Sequence, residues 1–231
     1  MIYNIITTQP QIYDSFLKTG LITRGIDKKI IDIKIHNLYD FGIGVHKSID
    51  DTPYGGGAGM VIRVDVIDRA LEKMQNAKLK SQNDNLKSKI ILLTPQGKKF
   101  DQNIAKKFAK LDEIILISGR FEGYDERIRD LANVEISIGD YVLTSGDLPA
   151  LVLIDAISRH VPRFIDRKES IEQESFEDNL LEYPQYTKPN IFQGKKIPKI
   201  LISGNHAEIA KWRRKQATLK TNKRRPDLTA I

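Results

Sequence analysis

The sequence contains no cysteine among its 231 residues. This absence excludes disulfide scaffolds, cysteine–zinc sites, iron–sulfur clusters and thiol nucleophiles, and it fits a reducing compartment. Long apolar stretches are also missing: the longest unbroken run extends only from Ala150 to Ile154, whereas a membrane helix needs about 20 residues. Because no basic residue precedes Lys18, the start of the chain does not resemble a signal peptide. We therefore expect a cytoplasmic protein with no membrane partner.

Signatures of several enzyme classes are missing as well. No Lys-Ser/Thr pair follows the glycine-rich segment Gly55–Gly59, as a phosphate-binding loop requires, and no Gly-x-Ser-x-Gly elbow of a hydrolase occurs. The four histidines lie far apart, without the spacing of paired metal ligands. The sequence thus predicts no protein-bound zinc site. We interpret Gly55–Gly59 as a flexible surface loop or a substrate contact.

The positive charge is concentrated near one end of the chain. The formal net charge is +7, but Lys188–Arg225 contains twelve Lys and Arg and one acid, Glu208. That segment alone carries +11, so the remainder carries −4. Lys211–Lys215 taken alone is as well explained by a solvated helix face. The whole segment, with Trp212 inside it, is more typical of a surface that contacts phosphates.

An acidic stretch precedes this basic segment. Asp166–Glu182 contains seven acids and two bases, with few apolar residues and no clear period. Such a composition is typical of a solvated, mobile linker, because it offers little apolar surface to bury. We therefore expect a boundary between two domains in this stretch.

Short apolar segments rich in β-branched residues alternate with helical patterns, which predicts an α/β fold with a parallel sheet covered by helices. We also expect Asp147 to cap a helix and Lys78–Lys89 to form a loop. The predicted strands are Ile2–Thr7, Ile30–His36, Ile90–Leu93, Ile114–Ile117 and Val134–Ile138. The predicted helices are Gln11–Leu17, Val64–Met74, Asp101–Ala109, Leu148–His160 and Ala207–Gln216.

Three polar segments that contain glycine each follow an apolar strand. They are Thr94–Gly97, Ser118–Glu126 and Ile138–Asp147, called here the first, second and third glycine segments. In an open α/β sheet, ligands bind outside the carboxyl ends of the strands, and glycine lets the backbone approach a ligand closely. One such segment alone is more typical of an ordinary strand-to-helix turn. Three of them on one edge predict a pocket lined by backbone groups.

Several longer motifs resemble those of a known family, in the same order and over essentially the whole chain. They are Asp51–Met60, Thr94–Gly97, Gly119–Arg127, Ser137–Gly146, Leu153–Ala156, Ser203–His206, Lys211–Arg213 and Arg224–Leu228. On these motifs the chain resembles the bacterial tRNA (guanine-N1)-methyltransferases of the SPOUT class, the TrmD family. The fold, cofactor, partners and site residues in the next two paragraphs are implied by that resemblance.

The resemblance implies a SPOUT-type parallel sheet with a deep C-terminal trefoil knot over residues 1–165, a flexible acidic linker over 166–182, and a small, basic, α-helical tRNA-binding domain over 183–231. It implies a homodimer with the active site at the subunit interface. The substrate would be tRNA with guanine at position 37, just 3′ of the anticodon. The methyl donor would be S-adenosyl-L-methionine, bent in the knot. The implied cofactor contacts are Leu93, Thr94, Pro95, Gln96, Gly119, Phe121, Glu122, Gly123, Ile138, Gly139, Asp140, Tyr141, Val142, Leu143 and Gly146.

The implied chemistry needs a base and a cation. Guanine N1 carries a proton at neutral pH, and negative charge develops on O6 as the methyl group arrives. By family position the cation is Arg159, whose planar fork suits O6, although from sequence alone an i,i+4 pair with Asp155 is the simpler role. The base is Glu174, which stands where most members carry Asp before a Ser-Phe pair. Glu172 and Glu177 are neighbouring acids that could replace it.

The resemblance also implies an assisting metal ion. Two residues depart from the family pattern, and two other functions stay open. The family's activity is Mg²⁺-assisted, with Glu122 a candidate for placing the ion. Phe121 stands where Tyr is common, and Ser145 replaces a glycine, so Ser145 would perturb the cofactor contacts if its backbone needed a positive φ. The alternatives are a SPOUT enzyme that methylates a ribose 2′-OH and a basic RNA-binding module on an inert α/β scaffold.

Overall fold

The computed structural model describes residues 1–80, 86–166 and 174–229. The chain divides into two compact units, Met1–Asp166 and Arg167–Ile231. Residues 167–173 of the expected linker lie outside the described residues. The three-part organisation into knotted domain, linker and basic domain therefore stays a prediction.

A five-stranded parallel sheet forms the centre of the first unit. Its spatial order is β2–β1–β6–β5–β7, and every neighbouring pair runs parallel, which confirms the predicted α/β fold. β3–β4 and β8–β9 are short antiparallel pairs outside this sheet. The strands are β1 (Ile2–Thr7), β2 (Asp32–Asn37), β3 (Asp50–Asp51), β4 (Val61–Ile62), β5 (Ser88–Lys99), β6 (Glu113–Ser118), β7 (Val134–Ser137), β8 (Ile191–Phe192) and β9 (Lys195–Lys196).

Helices follow most of the strands, and one helix dominates the second unit. Within the described residues, none combines the length and the apolar character that a bilayer span requires. The α-helices are α1 (Asp14–Leu17), α2 (Gly20–Asp27), α3 (Val64–Lys80), α4 (Gln102–Phe108), α5 (Ile128–Leu131), α6 (Asp147–Ser158) and α7 (His206–Arg224). Short 3-10 helices occupy Pro10–Tyr13, Leu38–Phe41, Glu177–Asn179, Lys199–Ile202 and Pro226–Leu228.

The apolar core lies on both faces of the sheet. Ile114 and Leu116 of β6 pack in the cluster that includes residues of α2, α4 and α6. Ile115 and Ile117 pack in a second cluster, which includes residues of α3 and α5. Successive strand side chains point to opposite faces, so the alternation shows that helices cover both. Burial of each such side chain contributes about 1.5–3 kcal/mol, and the sheet is thereby a rigid platform for the loops at its edge.

The first glycine segment is part of a strand rather than a separate loop. β5 continues through Thr94–Gly97, and both Leu93 and Lys98 pair with Ile136 of β7. The four residues between them bulge out of the ladder. Gly97 comes so close to β7 that a Cβ atom there would lie 2.5 Å from the backbone nitrogen of Ile136. The prediction of a strand ending at Leu93 was therefore too short, because pairing resumes after the bulge.

The structure corrects the prediction that Asp147 caps a helix. Gly146 is the N-cap residue of α6, and Asp147 lies in the first helical turn. The Asp147 side chain is 1% exposed, turned toward the protein interior instead of toward the free amides of the helix end. Its hydroxyl partners, described below, explain that orientation.

Three helical predictions also differ from the structure. α2 was not predicted, since it begins at a glycine and follows closely on another short helix. α3 continues to Lys80 and β5 begins at Ser88, so the predicted loop Lys78–Lys89 is wrong at both ends; residues 81–85 lie outside the described residues. α7 extends to Arg224, eight residues beyond the predicted end.

Candidate active site

A cleft opens where the three glycine segments meet, at the bulge of β5 and the carboxyl ends of β6 and β7. Residues from all three segments line it, which confirms that they form one pocket. Its empty volume is about 700 Å³, a figure that includes the part open to solvent. The cleft is therefore a concave site bounded by all three segments, as ligand sites in proteins typically are.

Most of the residues implied as cofactor contacts line this cleft. The exceptions are Gln96, whose side-chain oxygen accepts a hydrogen bond from Arg129 over 2.7 Å, and Asp140, whose side chain is 92% exposed and 4.0 Å from Lys99 Nζ. Neither lines the cleft, and the role of the others as cofactor contacts stays a prediction. Those that line it are Leu93, Thr94, Pro95, Gly119, Phe121, Glu122, Gly123, Ile138, Gly139, Tyr141, Val142, Leu143 and Gly146.

Seven further residues line the cleft that the sequence reasoning did not name as contacts. All but three belong to a glycine segment, and those three lie within two positions of the third segment. A prediction that took each segment whole, with its neighbours, would have found them. They are Arg120, Tyr124, Ile136, Ser137, Thr144, Ser145 and Pro149.

Tyr124 joins the bulge of β5 to the end of β6 beneath the cleft. Its hydroxyl lies within hydrogen-bonding distance of two carbonyl oxygens, 3.2 Å from that of Leu93 at the bulge of β5 and 3.0 Å from that of Ile117 in β6. Burial raises the pKa of the Tyr124 hydroxyl well above its usual range, so the group stays a neutral donor. The hydroxyl therefore ties the first and second glycine segments to one point.

Direct backbone contacts join the second and third segments. The amide of Gly146 donates to the carbonyl oxygen of Gly119 over 2.8 Å. At the start of the third segment, the Ser137 hydroxyl donates to the carbonyl of Gly139 and accepts from its amide. Ser145, by contrast, does not have a positive φ, so a serine fits where the family has glycine.

The end of the glycine-rich segment Gly55–Gly59 borders the cleft. The amide of Glu122 donates to the carbonyl of Met60 over 3.0 Å. A Cβ atom at Gly59, whose φ is +74°, would lie 2.5 Å from Cγ of Glu122. The remainder of the segment is exposed, as expected for a surface loop, while its role as a substrate contact stays a prediction.

The candidate cation Arg159 and the candidate base Glu174 belong to different units. Arg159 is the half-buried C-cap residue of α6, and its amide donates to the carbonyl of Asp155 over 3.3 Å. Glu174 is half-buried in the second unit, in a pocket that it shares with Glu177 and with residues of α7. Glu172 lies outside the described residues. The catalytic roles of Arg159 and Glu174 stay predictions.

The basic segment folds as a hairpin, a 3-10 turn and α7. Asn205 caps α7 by accepting from the amide of Glu208. Arg214 pairs with Asp178 at 3.0 Å, whereas Lys195 and Lys196 of the hairpin are exposed beside Phe192, which is 63% exposed. Some of these cations thus stabilise the unit, and others face solvent near an aromatic ring.

Comparisons with known proteins agree with the motifs. The family model described as "tRNA (Guanine-1)-methyltransferase TrmD" matches residues 1–230. A protein of Clostridioides difficile (strain 630) called tRNA (guanine-N(1)-)-methyltransferase is 46% identical over 229 residues, covering 99% of this chain and 97% of its own. The proteins of the same name from Mycoplasmopsis synoviae (strain 53) and Citrifermentans bemidjiense are 46% and 45% identical, and this chain covers 95% and 89% of them.

Proposed function

The chain belongs to the tRNA (guanine-N1)-methyltransferase family, and we propose that it transfers the methyl group of S-adenosyl-L-methionine to N1 of guanine 37 in tRNA. The observation that carries the proposal is the single cleft formed by the three glycine segments, in a chain matched by the family model over residues 1–230. The methyl donor supplies an electrophilic carbon bound to a positively charged sulfur. The protein has to bind that donor, orient the guanine, remove one proton and stabilise one developing negative charge.

The cleft suits the donor because both the glycine segments and apolar side chains line it. Backbone N–H and C=O groups of the glycine segments can satisfy an adenosine and an amino acid moiety, while Leu93, Ile138 and Leu143 offer apolar surface. We also propose that the chain crosses itself here as a trefoil knot. The close approach of Gly97 to Ile136 and of Gly146 to Gly119 supports that crossing.

Proton removal and charge stabilisation fall to Glu174 and Arg159. The Glu174 carboxylate takes the proton of guanine N1 as N1 accepts the methyl group, which the bound donor would supply while its sulfur kept the electron pair of the broken carbon–sulfur bond. The negative charge that develops on O6 during this step is stabilised by the Arg159 guanidinium. The two residues act in a homodimer with the active site at the subunit interface. Leu148 and Val152, four residues apart on α6 and 49% and 45% exposed, support an interface there.

The cleft is also compatible with an assisting Mg²⁺ ion. Glu122 is a carboxylate that lines it, and Mg²⁺ is commonly held by one or two carboxylates and several waters. In the described residues, His, Asp and Glu side chains do not gather in threes as a protein-only metal site would require. Glu122 would hold the ion, which would supply positive charge near the reacting groups.

Methyl transfer to defined tRNA transcripts tests the proposal. We expect labelled S-adenosyl-L-methionine to methylate a transcript with guanine at position 37 and not one with adenine there. Nucleoside analysis should locate the methyl group on guanine N1; a methyl group on ribose would instead indicate a 2′-O-methyltransferase. Calorimetry without tRNA should show binding of the donor, and tRNA binding without donor binding would indicate an inert RNA-binding module.

A further inference from the structure

A buried carboxylate lies beneath the cleft, where the mechanism does not use it. Three hydroxyl groups donate to Oδ1 of Asp147: Thr7 at 2.7 Å, Tyr13 at 2.9 Å and Ser118 at 2.7 Å. A fourth, that of Ser145, donates to Oδ2 at 2.9 Å. Among the described residues, Asp147 has no Lys or Arg partner. The Asp147 cluster, defined by these five residues, is thus a negative charge held by hydroxyls.

This arrangement fixes the orientation of every hydroxyl in the cluster. A buried carboxylate without partners is strongly unfavourable, so each of the four O–H groups has to point at it. The carboxylate in turn keeps Tyr13 protonated. Burial and the nearby Asp147 charge raise the pKa of the Tyr13 hydroxyl well above its usual range, so the group stays a donor.

Two of the four donors lie on the scaffold, and the other two lie next to glycines that line the cleft. Thr7 ends β1 and Tyr13 ends the first 3-10 helix, and neither lines the cleft. Ser118 ends β6 directly before Gly119, and Ser145 directly precedes Gly146. Gly119 and Gly146 line the cleft and are hydrogen-bonded to each other. One carboxylate therefore connects the rigid scaffold to the second and third glycine segments at their closest approach.

We propose that Asp147 is a positioning residue that anchors the second and third glycine segments to β1 and the first 3-10 helix, and thereby holds Gly119 and Gly146 in the arrangement that binds the cofactor. The inference rests on the proposed function, in that the cleft is taken to bind S-adenosyl-L-methionine. A purely fold-stabilising role is the competing explanation. It predicts that all four donors matter alike, whereas positioning predicts that the donors on the glycine segments matter more.

Single-hydroxyl variants separate the two explanations. Ser118→Ala removes a donor next to the cleft, and Ser118 itself does not line it, so a loss of affinity would not reflect a lost ligand contact. Thr7→Val and Tyr13→Phe are the matched controls, because each removes one donor from the same Oδ1 atom. Ser145→Ala and Asp147→Asn complete the series. If Asp147→Asn fails to fold, the hydroxyl variants still distinguish a positioning role from a purely fold-stabilising one.

Three measurements are made on each full-length variant: the Kd for S-adenosyl-L-methionine by calorimetry, the free energy of unfolding in urea, and hydrogen–deuterium exchange. For Ser118→Ala we expect the Kd to rise about tenfold or more, the effect of one lost hydrogen bond to a charged group. Exchange should accelerate at residues 119–123, and methyl transfer at saturating cofactor should be largely retained. Thr7→Val and Tyr13→Phe should lower stability, but they should raise the Kd and accelerate exchange at residues 119–123 clearly less than Ser118→Ala does.

The inference is overturned if the Kd rises in all three Oδ1 variants in proportion to their loss of stability, or if Ser118→Ala binds the cofactor as tightly as wild type. Failure of the proposed function looks different, because the wild-type protein itself would then show no cofactor binding. In that case the exchange data alone would report whether Asp147 fixes the two segments.

Discussion

The ring of Tyr124 lies against the backbone of Gly119 so closely that a Cβ atom at Gly119 would be 2.2 Å from Cζ of the ring. The ring is anchored in this position, because its hydroxyl is hydrogen-bonded to carbonyls of β5 and β6. We therefore expect Gly119→Ala to displace the second glycine segment, to lower the free energy of unfolding by about 1–3 kcal/mol, and to abolish cofactor binding. Calorimetry and urea unfolding measure the two effects.

Gly44→Ala is the control for this substitution. Gly44 has a positive φ of +71°, and a Cβ atom added there would have no other atom within 4 Å, so alanine introduces backbone strain of about 1–2 kcal/mol without a clash. The affinity of this variant for the cofactor should equal that of wild type. A Gly119→Ala protein that binds the cofactor normally would show that the contact with Tyr124 does not shape the cleft.

The position of the cleft could be predicted from sequence, but the packing beneath it could not. Parallel strands end at one edge of a sheet, so three strands that each precede a glycine segment predict a shared pocket. Asp147 shows the limit of such reasoning. An acid beside a helix start looks like a cap, and its actual partner Thr7 lies 140 positions away in the sequence. Only the folded sheet brings those residues together.

The first glycine segment illustrates a second limit of prediction from the sequence alone. Thr94–Gly97 has the composition of a turn, and locally it does leave the ladder. The strand nevertheless resumes at Lys98, because pairing with Ile136 of β7 is available there. Local composition predicted the irregular residues correctly and missed the strand around them, which depends on a neighbour 38 positions further along the chain.

Arg159→Ala should raise the barrier to methyl transfer by about 2.7–4 kcal/mol, the typical effect of losing one donor that stabilises transition-state charge. Arg159→Lys keeps the charge and loses the planar fork, so it should retain part of the rate. Single-turnover kinetics at saturating cofactor and tRNA isolate the chemical step.

Asp155→Ala is the matched control for Arg159, because an i,i+4 pair on α6 is the simplest structural role of that arginine. If pairing with Asp155 were its whole function, Asp155→Ala would slow the reaction as much as Arg159→Ala does. We expect Asp155→Ala to transfer methyl groups at close to the wild-type rate. A loss of less than about tenfold in Arg159→Ala, equivalent to 1.4 kcal/mol, would assign the residue a structural role.

Glu174→Gln should abolish methyl transfer and leave cofactor binding nearly intact, because an amide cannot accept the N1 proton and the cofactor cleft belongs to the other unit. Glu177→Gln is the control: Glu177 lines the same pocket as Glu174 and should be dispensable for the reaction. Transfer assays with labelled cofactor, paired with calorimetry, measure both properties. The reverse pattern, with Glu177 essential and Glu174 dispensable, would assign the base to Glu177.

The affinity for tRNA should fall steeply with salt, because cations that contact phosphates release counterions on binding. The double variant Lys195→Ala/Lys196→Ala removes two exposed cations of the β8–β9 hairpin. It should reduce the slope of log K against log salt by about 1–2 if both contact phosphates. Lys107→Ala/Lys110→Ala, two exposed cations at the end of α4, is the charge-matched control and should leave the slope unchanged. Equal slopes for wild type and the hairpin variant would exclude the hairpin from the RNA interface.

Folding stability should decline as the pH falls below about 6.5, in part because of His36. Burial lowers the pKa of the His36 imidazole, and the charges of Lys34 and Lys73 lower it further; Nε2 of the ring lies 2.9 Å from the side-chain oxygen of Asn4. A lowered pKa means that the unfolded chain binds the proton more readily than the folded one, so the contribution of His36 is complete above the unfolded pKa and is lost as the pH falls toward the folded pKa. Urea unfolding at a series of pH values measures this slope, and His36→Gln should flatten it while leaving the acid-induced loss due to carboxylates in place. An unchanged slope in His36→Gln would show that the proton is taken up elsewhere.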